Sequence, residues 1–165
     1  MSIAFDLLVG TAVTKNYQTV MAITTLGAVA LSDLVVVCVV TDQAAFPTSV
    51  TDSGNNTYTA ITMGGSNPVA SIWWARLSTA LILGDQISIN GLTNGTVVAT
   101  SILAFTATDS PDDKEASARA SSTAADSGAT ATISQPNELL VAFVGVSGPS
   151  GDTYSQNGED RKSVV

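Results

Sequence analysis

The sequence predicts an all-β protein: an antiparallel β-sandwich, Ig-like or jelly-roll-like, of about eight strands. Three observations predict it. Apolar residues recur at alternate positions or in short unbroken runs, the two signatures of strands covered on one face or on both. Clusters of Gly, Asn, Asp and Ser punctuate these runs every 8 to 15 residues, which is turn chemistry. No gap between the strands of residues 34–106 is long enough for the crossover helices of a parallel sheet.

The elements follow in order. In residues 3–13, Ile3, Phe5, Leu7, Val9 and Val13 alternate with Asp6 and Gly10, giving a half-buried strand. Residues 17–25 (YQTVMAITT) are β-branched and aromatic, and end at Leu26-Gly27. Residues 34–41 (LVVVCVVT) are apolar on both faces, so this strand is covered on both sides, centrally in a sandwich or by a partner. Its Cys38 reads as a small buried hydrophobe. Strand-like pieces flank Asp52-Ser53-Gly54-Asn55-Asn56, where Gly and Asn tolerate positive φ, so a hairpin turn is expected. Residues 70–78 (ASIWWARLS) form the next strand. Residues 85–90 (DQISIN) turn Ile87 and Ile89 inward. Residues 96–106 follow the Asn94-Gly95 turn, and 138–146 (ELLVAFVGV) are the last strong strand.

Residues 1–148 thus form the sandwich, and 149–165 a polar C-terminal tail. The sandwich is interrupted by a polar, acidic excursion over 107–136, a length uncommon for a loop inside a compact domain. Its start carries helix-opening signals: Ser110 as N-cap, Pro111 in the first turn, Asp113 as the N3 acid.

Composition narrows the function. Charged residues are only 12%, against about 25% in an average globular protein. Apolar residues are 45%. Neither a disordered chain nor a coiled coil has this balance. There is no His, so Ser-His-Asp and Cys-His catalysis are excluded within the chain. One Cys allows no internal disulfide and no Cys/His zinc site. A net charge of −8 repels nucleic-acid backbones. The longest apolar stretch, Leu34–Val40, is far short of a bilayer span. Asp6 interrupts the first apolar run and the first Lys is Lys15, so no classical export signal is read. The expectation is a non-enzyme with no cofactor and no metal, and neither nucleic acid nor membrane as partner.

The candidate sites fit that expectation. Asp42, Asp52, Asp85, Asp109, Asp112 and Asp113 fall at strand ends or in loops, with no calcium-loop spacing, and read as turn formers. Glu115 and Glu138 do not make an identifiable glycosidase pair. Lys15, Lys114 and Lys162 lie in polar surroundings, unlike an isopeptide lysine. The most informative feature is Trp73-Trp74. Adjacent strand residues point to opposite faces, so one indole sits in the core and the other meets solvent, a second buried layer, or another surface. With Tyr58 and Tyr154 they are the candidate interface residues.

The succession DLVVVCVV, SVTDSGNNTYTAIT, SIWWARL, GDQISING, SILAF and NELLVAFVGVSG resembles a β-sandwich domain of bacteriophage virion and bacterial surface proteins. The residues that carry the resemblance are Val50, Thr51, Asp52, Gly54, Asn55 or Asn56, Tyr58, Trp73, Gly84, Asp85, Phe105, Asn137, Glu138 and Leu139. It covers about residues 33–148 and its motifs are structural. Two departures stand out. Beyond the NELL strand only 151–157 resembles the family's continuation, which suggests a shortened sandwich completed by a partner. The excursion is also longer and richer in Ala than the family's pattern.

Taken together, these features imply a structural virion protein of a tailed bacteriophage that decorates or cements the capsid. It would be made in the host cytoplasm without a signal peptide and placed on the capsid surface. The major capsid protein would be its partner, and a homo-oligomer, trimer or dimer, its state on the lattice. The alternative is a carbohydrate- or host-surface-binding module, which needs Tyr58, Trp74 and Tyr154 to line one exposed groove. A tail-tube role would need residues 107–136 to pair across a ring, and their Ala/Ser/Asp content is a poor strand former.

Overall fold

The fold is known from a computed structural model, which describes residues 4–16, 19–42, 46–62, 68–93, 96–106, 116, 129, 131–132 and 139–144. Among the described residues eight strands form in chain order: β1 (Ala4–Asn16), β2 (Val20–Thr24), β3 (Leu34–Thr41), β4 (Ser49–Asp52), β5 (Thr59–Thr62), β6 (Val69–Arg76), β7 (Gln86–Asn90) and β8 (Thr96–Thr106). All pairings are antiparallel. The expected all-β sandwich is therefore the observed one. The expected helix start at Ser110–Asp113 lies outside the described residues.

The chain behaves as one long hairpin rolled up on itself. The outgoing strands β1, β2 and β3 pair with the returning strands β8, β7 and β6. This gives a five-stranded sheet, β1-β8-β3-β6-β5, facing a three-stranded sheet, β2-β7-β4. The order β1-β8-β3-β6 opposite β2-β7-β4 is a jelly-roll order, which decides between the two sandwich types. One strand departs from it: β5 leaves β4 and extends the large sheet beside β6.

Period-2 alternation builds the core between the sheets. Val35, Val37 and Val39 of β3, Val98, Ile102 and Ala104 of β8, and Trp73 of β6 meet Met21 and Ile23 of β2, Val50 of β4, and Ile87 and Ile89 of β7. Val29, Leu77, Leu81 and Leu92 close its ends. β1 carries register shifts between Phe5 and Leu7 and between Leu8 and Gly10. These bulges turn Val9 into the core while Leu8 stays exposed.

A second apolar cluster lies on the other face of the large sheet. Leu34, Val36, Cys38, Ile72, Leu103 and Phe105 are buried there, under Leu139, Val141 and Phe143. Residues 139–144 alternate strictly: positions 139, 141 and 143 are half-buried, while 140, 142 and 144 are exposed. The expected strand over 138–146 is corrected here. The described part, 139–144, belongs to no ladder. Its alternate side chains are satisfied by the face of the large sheet, so it lies across that face as a third layer.

Two turn glycines separate backbone strain from steric crowding. Gly84 and Gly91 both have positive φ, +93° and +75°. A Cβ at Gly84 would meet open space, whereas at Gly91 it would collide with the Thr48 side chain. Gly84→Ala is expected to cost about 1–2 kcal/mol, the left-handed penalty alone. Gly91→Ala should cost at least about 1 kcal/mol more, because overlap adds to it. Urea unfolding of the two variants measures the difference, and equal midpoint shifts would show that the Thr48 contact is dispensable.

Candidate interaction surface

The turn after β4 is built as a buried polar clamp. Asn55 takes φ +55° and its N–H donates to the Asp52 carbonyl at 3.1 Å. Asn56, which is buried, then folds back. Its N–H donates to Asp52 Oδ1 at 3.0 Å and its Nδ2 to Asp52 Oδ2 at 3.0 Å. The same Nδ2 donates to the Thr79 carbonyl at 2.9 Å. Asn56 Oδ1 accepts from Ser78 N, Ser78 Oγ and Thr79 N at 2.7, 3.1 and 2.9 Å. Tyr58 OH donates to Asp52 Oδ2 at 3.0 Å. A Cβ at Gly54 would crowd Asn56 Nδ2, Thr79 and Leu81. The SVTDSGNNTY stretch is therefore a fastening: Asp52, Asn56 and Tyr58 satisfy one another and hold the loop after β6. Each such bond contributes about 0.5–1.5 kcal/mol net, and together they fix one geometry.

What they hold is one end of the sandwich. The loops 25–33 and 77–85 are laced together. Val29 and Leu81 exchange both backbone bonds, at 2.9 and 3.0 Å. Thr25 N donates to the Asp85 carbonyl at 2.8 Å, and Thr25 Oγ1 to the Ile82 carbonyl at 2.6 Å. Ser32 N donates to the Leu77 carbonyl at 2.9 Å. The carboxylates of both loops bond their own backbone: Asp33 accepts from Ala30 N at 3.1 Å and Asp85 from Ile82 N at 2.8 Å. On this rigid frame Leu26, Leu31, Ile82 and Leu83 stand 59–69% exposed. Four large aliphatics stand out from two tied loops, beside the Asp33 and Asp85 carboxylates and the Arg76 guanidinium, which donates to the Ser32 carbonyl at 3.5 Å.

The candidate aromatics do not form one surface. Trp73 and Trp74 point to opposite faces of β6, as strand geometry requires. Trp73 is 8% exposed in the core between the sheets, and its Nε1 donates to Ser71 Oγ at 3.3 Å. It presents nothing to a partner. Trp74 packs half-buried against the outer cluster, and its buried Nε1–H meets no acceptor among the described residues. Tyr58 packs against the inner core. Tyr154 lies outside the described residues. Tyr58 and Trp74 therefore serve different clusters and line no common groove.

The described loop carboxylates have structural roles. Besides Asp52 and Asp85, Asp42 Oδ1 accepts from Val97 N at 2.8 Å. Asp109, Asp112 and Asp113 lie outside the described residues, as does Glu138. Among the described residues no group of three or more Asp, Glu, Cys or His gathers as a metal site. Cys38 is buried in the outer cluster, and burial pushes its thiol up to about 12. The aliphatic end escapes sequence reading. Leu26, Leu31, Ile82 and Leu83 carry no motif, and only the topology brings their loops together.

No family model, no curated protein and no solved structure matches the chain.

The clamp carries a pH signature. Burial, then the Asp52 charge and the hydrogen bond to Asp52, hold the Tyr58 phenol well above its ordinary range. An unfolded tyrosine ionises near pH 10. Above that pH the unfolded chain loses the proton first while folded Tyr58 keeps it. Stability must therefore fall as pH rises, by up to about 1.4 kcal/mol per pH unit. Cys38 adds a fall that begins lower, near the ordinary thiol range. Urea unfolding of wild type and Tyr58→Phe across the alkaline range should show a shallower decline in the variant. Parallel declines would mean that the Tyr58 phenol titrates normally.

Proposed function

We propose that this chain is a structural virion protein of a tailed bacteriophage, one that decorates and cements the capsid shell with the major capsid protein as partner. The observation that carries the reading is the exposed aliphatic end: Leu26, Leu31, Ile82 and Leu83 on two laced loops. An exposed apolar patch on a rigid frame fits a hollow in another protein. It replaces the tryptophans as the apolar anchor, since Trp73 is in the core and Trp74 is half-buried against the outer cluster.

The resemblance to virion and surface sandwiches supports the same reading. The jelly-roll order occurs in viral capsid and lectin domains alike, so the exposed chemistry must decide between protein and sugar. A sugar platform presents aromatic faces. The exposed large apolar residues described here are aliphatic apart from Phe5, which is engaged edge-on with Phe105 at a centroid distance of 5.8 Å. That favours a protein partner. A decorating protein that binds the assembled lattice and not free subunits stabilises the shell by mass action, and its acidic surface suits the outside of a nucleic-acid container.

Purified protein added to empty expanded shells of the encoding phage should bind and raise the shell melting temperature. Ile82→Asp with Leu83→Asp should weaken binding at least about thirtyfold, the loss of one hot spot of about 2 kcal/mol. Binding to glycans with none to shells would overturn the reading. The gene should lie beside a major capsid gene.

A further inference from the structure

The end of β7 far from the aliphatic loops carries an Asn-Gly pair, Asn90-Gly91. The fold demands the glycine. Gly91 has φ +75°, and a Cβ there would collide with the Thr48 side chain, so only a residue without one fits. The neighbouring carboxamide is in use. Asn90 is half-buried and pairs with Ser49 of β4 on one side and Val20 of β2 on the other. Its Nδ2 lies 3.2 Å from both Ser49 Oγ and Thr51 Oγ1, 3.3 Å from the Ser88 carbonyl and 3.4 Å from the Ser49 carbonyl. The two carbonyls can only accept, so the amide nitrogen and not its oxygen faces them.

The backbone on either side is held as well. The Asn90 carbonyl accepts from Thr48 N at 2.9 Å, and Leu92 N donates to the Thr19 carbonyl at 2.9 Å. Gly91 N, between them, meets no acceptor among the described residues. An unhindered backbone nitrogen without an acceptor thus directly follows an asparagine carboxamide. That is the arrangement in which an asparagine can react with its own main chain. Asn55-Asn56 is the contrast within this chain. There the following residue carries a side chain, and its nitrogen donates to Asp52 Oδ1 at 3.0 Å.

We propose that Asn90 is a self-modification site kept latent by β4. In the reaction Gly91 N gives up its proton to base and attacks Asn90 Cγ. The new Cγ–N bond forms as the Cγ–Nδ2 bond breaks, and ammonia leaves. Water, the only co-reactant, then opens the cyclic imide at either carbonyl to give aspartate or isoaspartate. β4 is the gate. Ser49 and Thr51 hold the carboxamide across the ladder, and the Ser88 carbonyl holds it back toward the preceding residues. Cyclisation needs Cγ to fold forward onto Gly91 N, which breaks all four contacts. β4 is only 4 residues long and borders the small sheet, and such elements open at lower free energy than core strands. The product makes the opening permanent. A carboxylate offers no N–H to the Ser49 and Ser88 carbonyls, and isoaspartate also lengthens the main chain within the ladder. The small sheet therefore records the time its edge has spent open. The inference stands apart from the capsid reading, which uses the loops at the other end of β7.

The test is peptide mapping by mass spectrometry after incubating the whole chain at mildly alkaline pH, resolving amide, aspartate and isoaspartate at position 90. Chain unfolded in guanidinium chloride should convert fastest. Folded wild type should convert at least about tenfold more slowly, the protection given by one local opening step. Ser49→Ala with Thr51→Ala, its fold confirmed by circular dichroism, should convert at least about fivefold faster than folded wild type, the loss of two hydrogen bonds. No conversion at position 90 in unfolded chain would overturn the site. Folded wild type converting as fast as unfolded chain would overturn the gate, as would a folded double variant no faster than wild type. Asn90→Asp tests the permanence without relying on rates. It should unfold at lower urea than wild type at neutral pH. The gap should narrow where acid protonates the new carboxyl, which can then donate. Equal midpoints at neutral pH would show that the product does not hold the edge open.

Discussion

The structure depends on one strand being buried on both faces. β3 runs through the middle of the large sheet, between β8 and β6. It turns Val35, Val37 and Val39 to one side and Leu34, Val36 and Cys38 to the other, all of them buried. A strand with no polar face cannot border water on either side. The three-stranded sheet covers the inner side. On the outer side six buried side chains, at about 1.5–3 kcal/mol each, amount to as much as the whole net stability of a domain, about 5–15 kcal/mol. The fold therefore needs a third layer, and residues 139–144 supply it from within the chain.

That requirement explains the division of labour along the chain. The hydrogen-bonded machinery is concentrated where loops must be held: the Asp52–Asn56–Tyr58 clamp, and the Asp33 and Asp85 carboxylates bent onto their own loops. Among the described residues the third layer, residues 139–144, has no such hydrogen bonds and packs by side-chain contact. Rigid polar fastening builds the aliphatic end as a fixed anchor.

Much of the fold is legible in the sequence because period 2 is a local signal. β1, β3, β7 and β8 fall where alternation or unbroken apolar runs place them, and the opposed tryptophans follow from adjacency on a strand. The double-sided burial of β3 is legible from LVVVCVV alone. What covers its second face is not. Residues 139–144 have the same apolar pattern as a ladder strand, and the difference lies in which surface receives them. The clamp is half legible. Gly54 and Asn55 announce a turn, but the partners of Asn56 beyond Asp52 are Ser78 and Thr79, more than twenty residues on. The aliphatic end is illegible for the same reason: two ordinary loops become one surface only after the hairpin has rolled up. The jelly-roll order, too, is a product of long-range pairing that no local pattern encodes.

The central claim is that residues 139–144 close the outer face of the large sheet, and Cys38 is a reporter built into that face. The direct measurement is the rate at which a thiol reagent labels Cys38 under native conditions, in wild type and in a Val141→Asp, Phe143→Asp variant. Wild type should be protected relative to unfolded chain. The variant should label much faster while its far-ultraviolet spectrum still reports the sandwich. Rapid labelling of the wild type, or protection that survives loss of both contacts, would contradict the account.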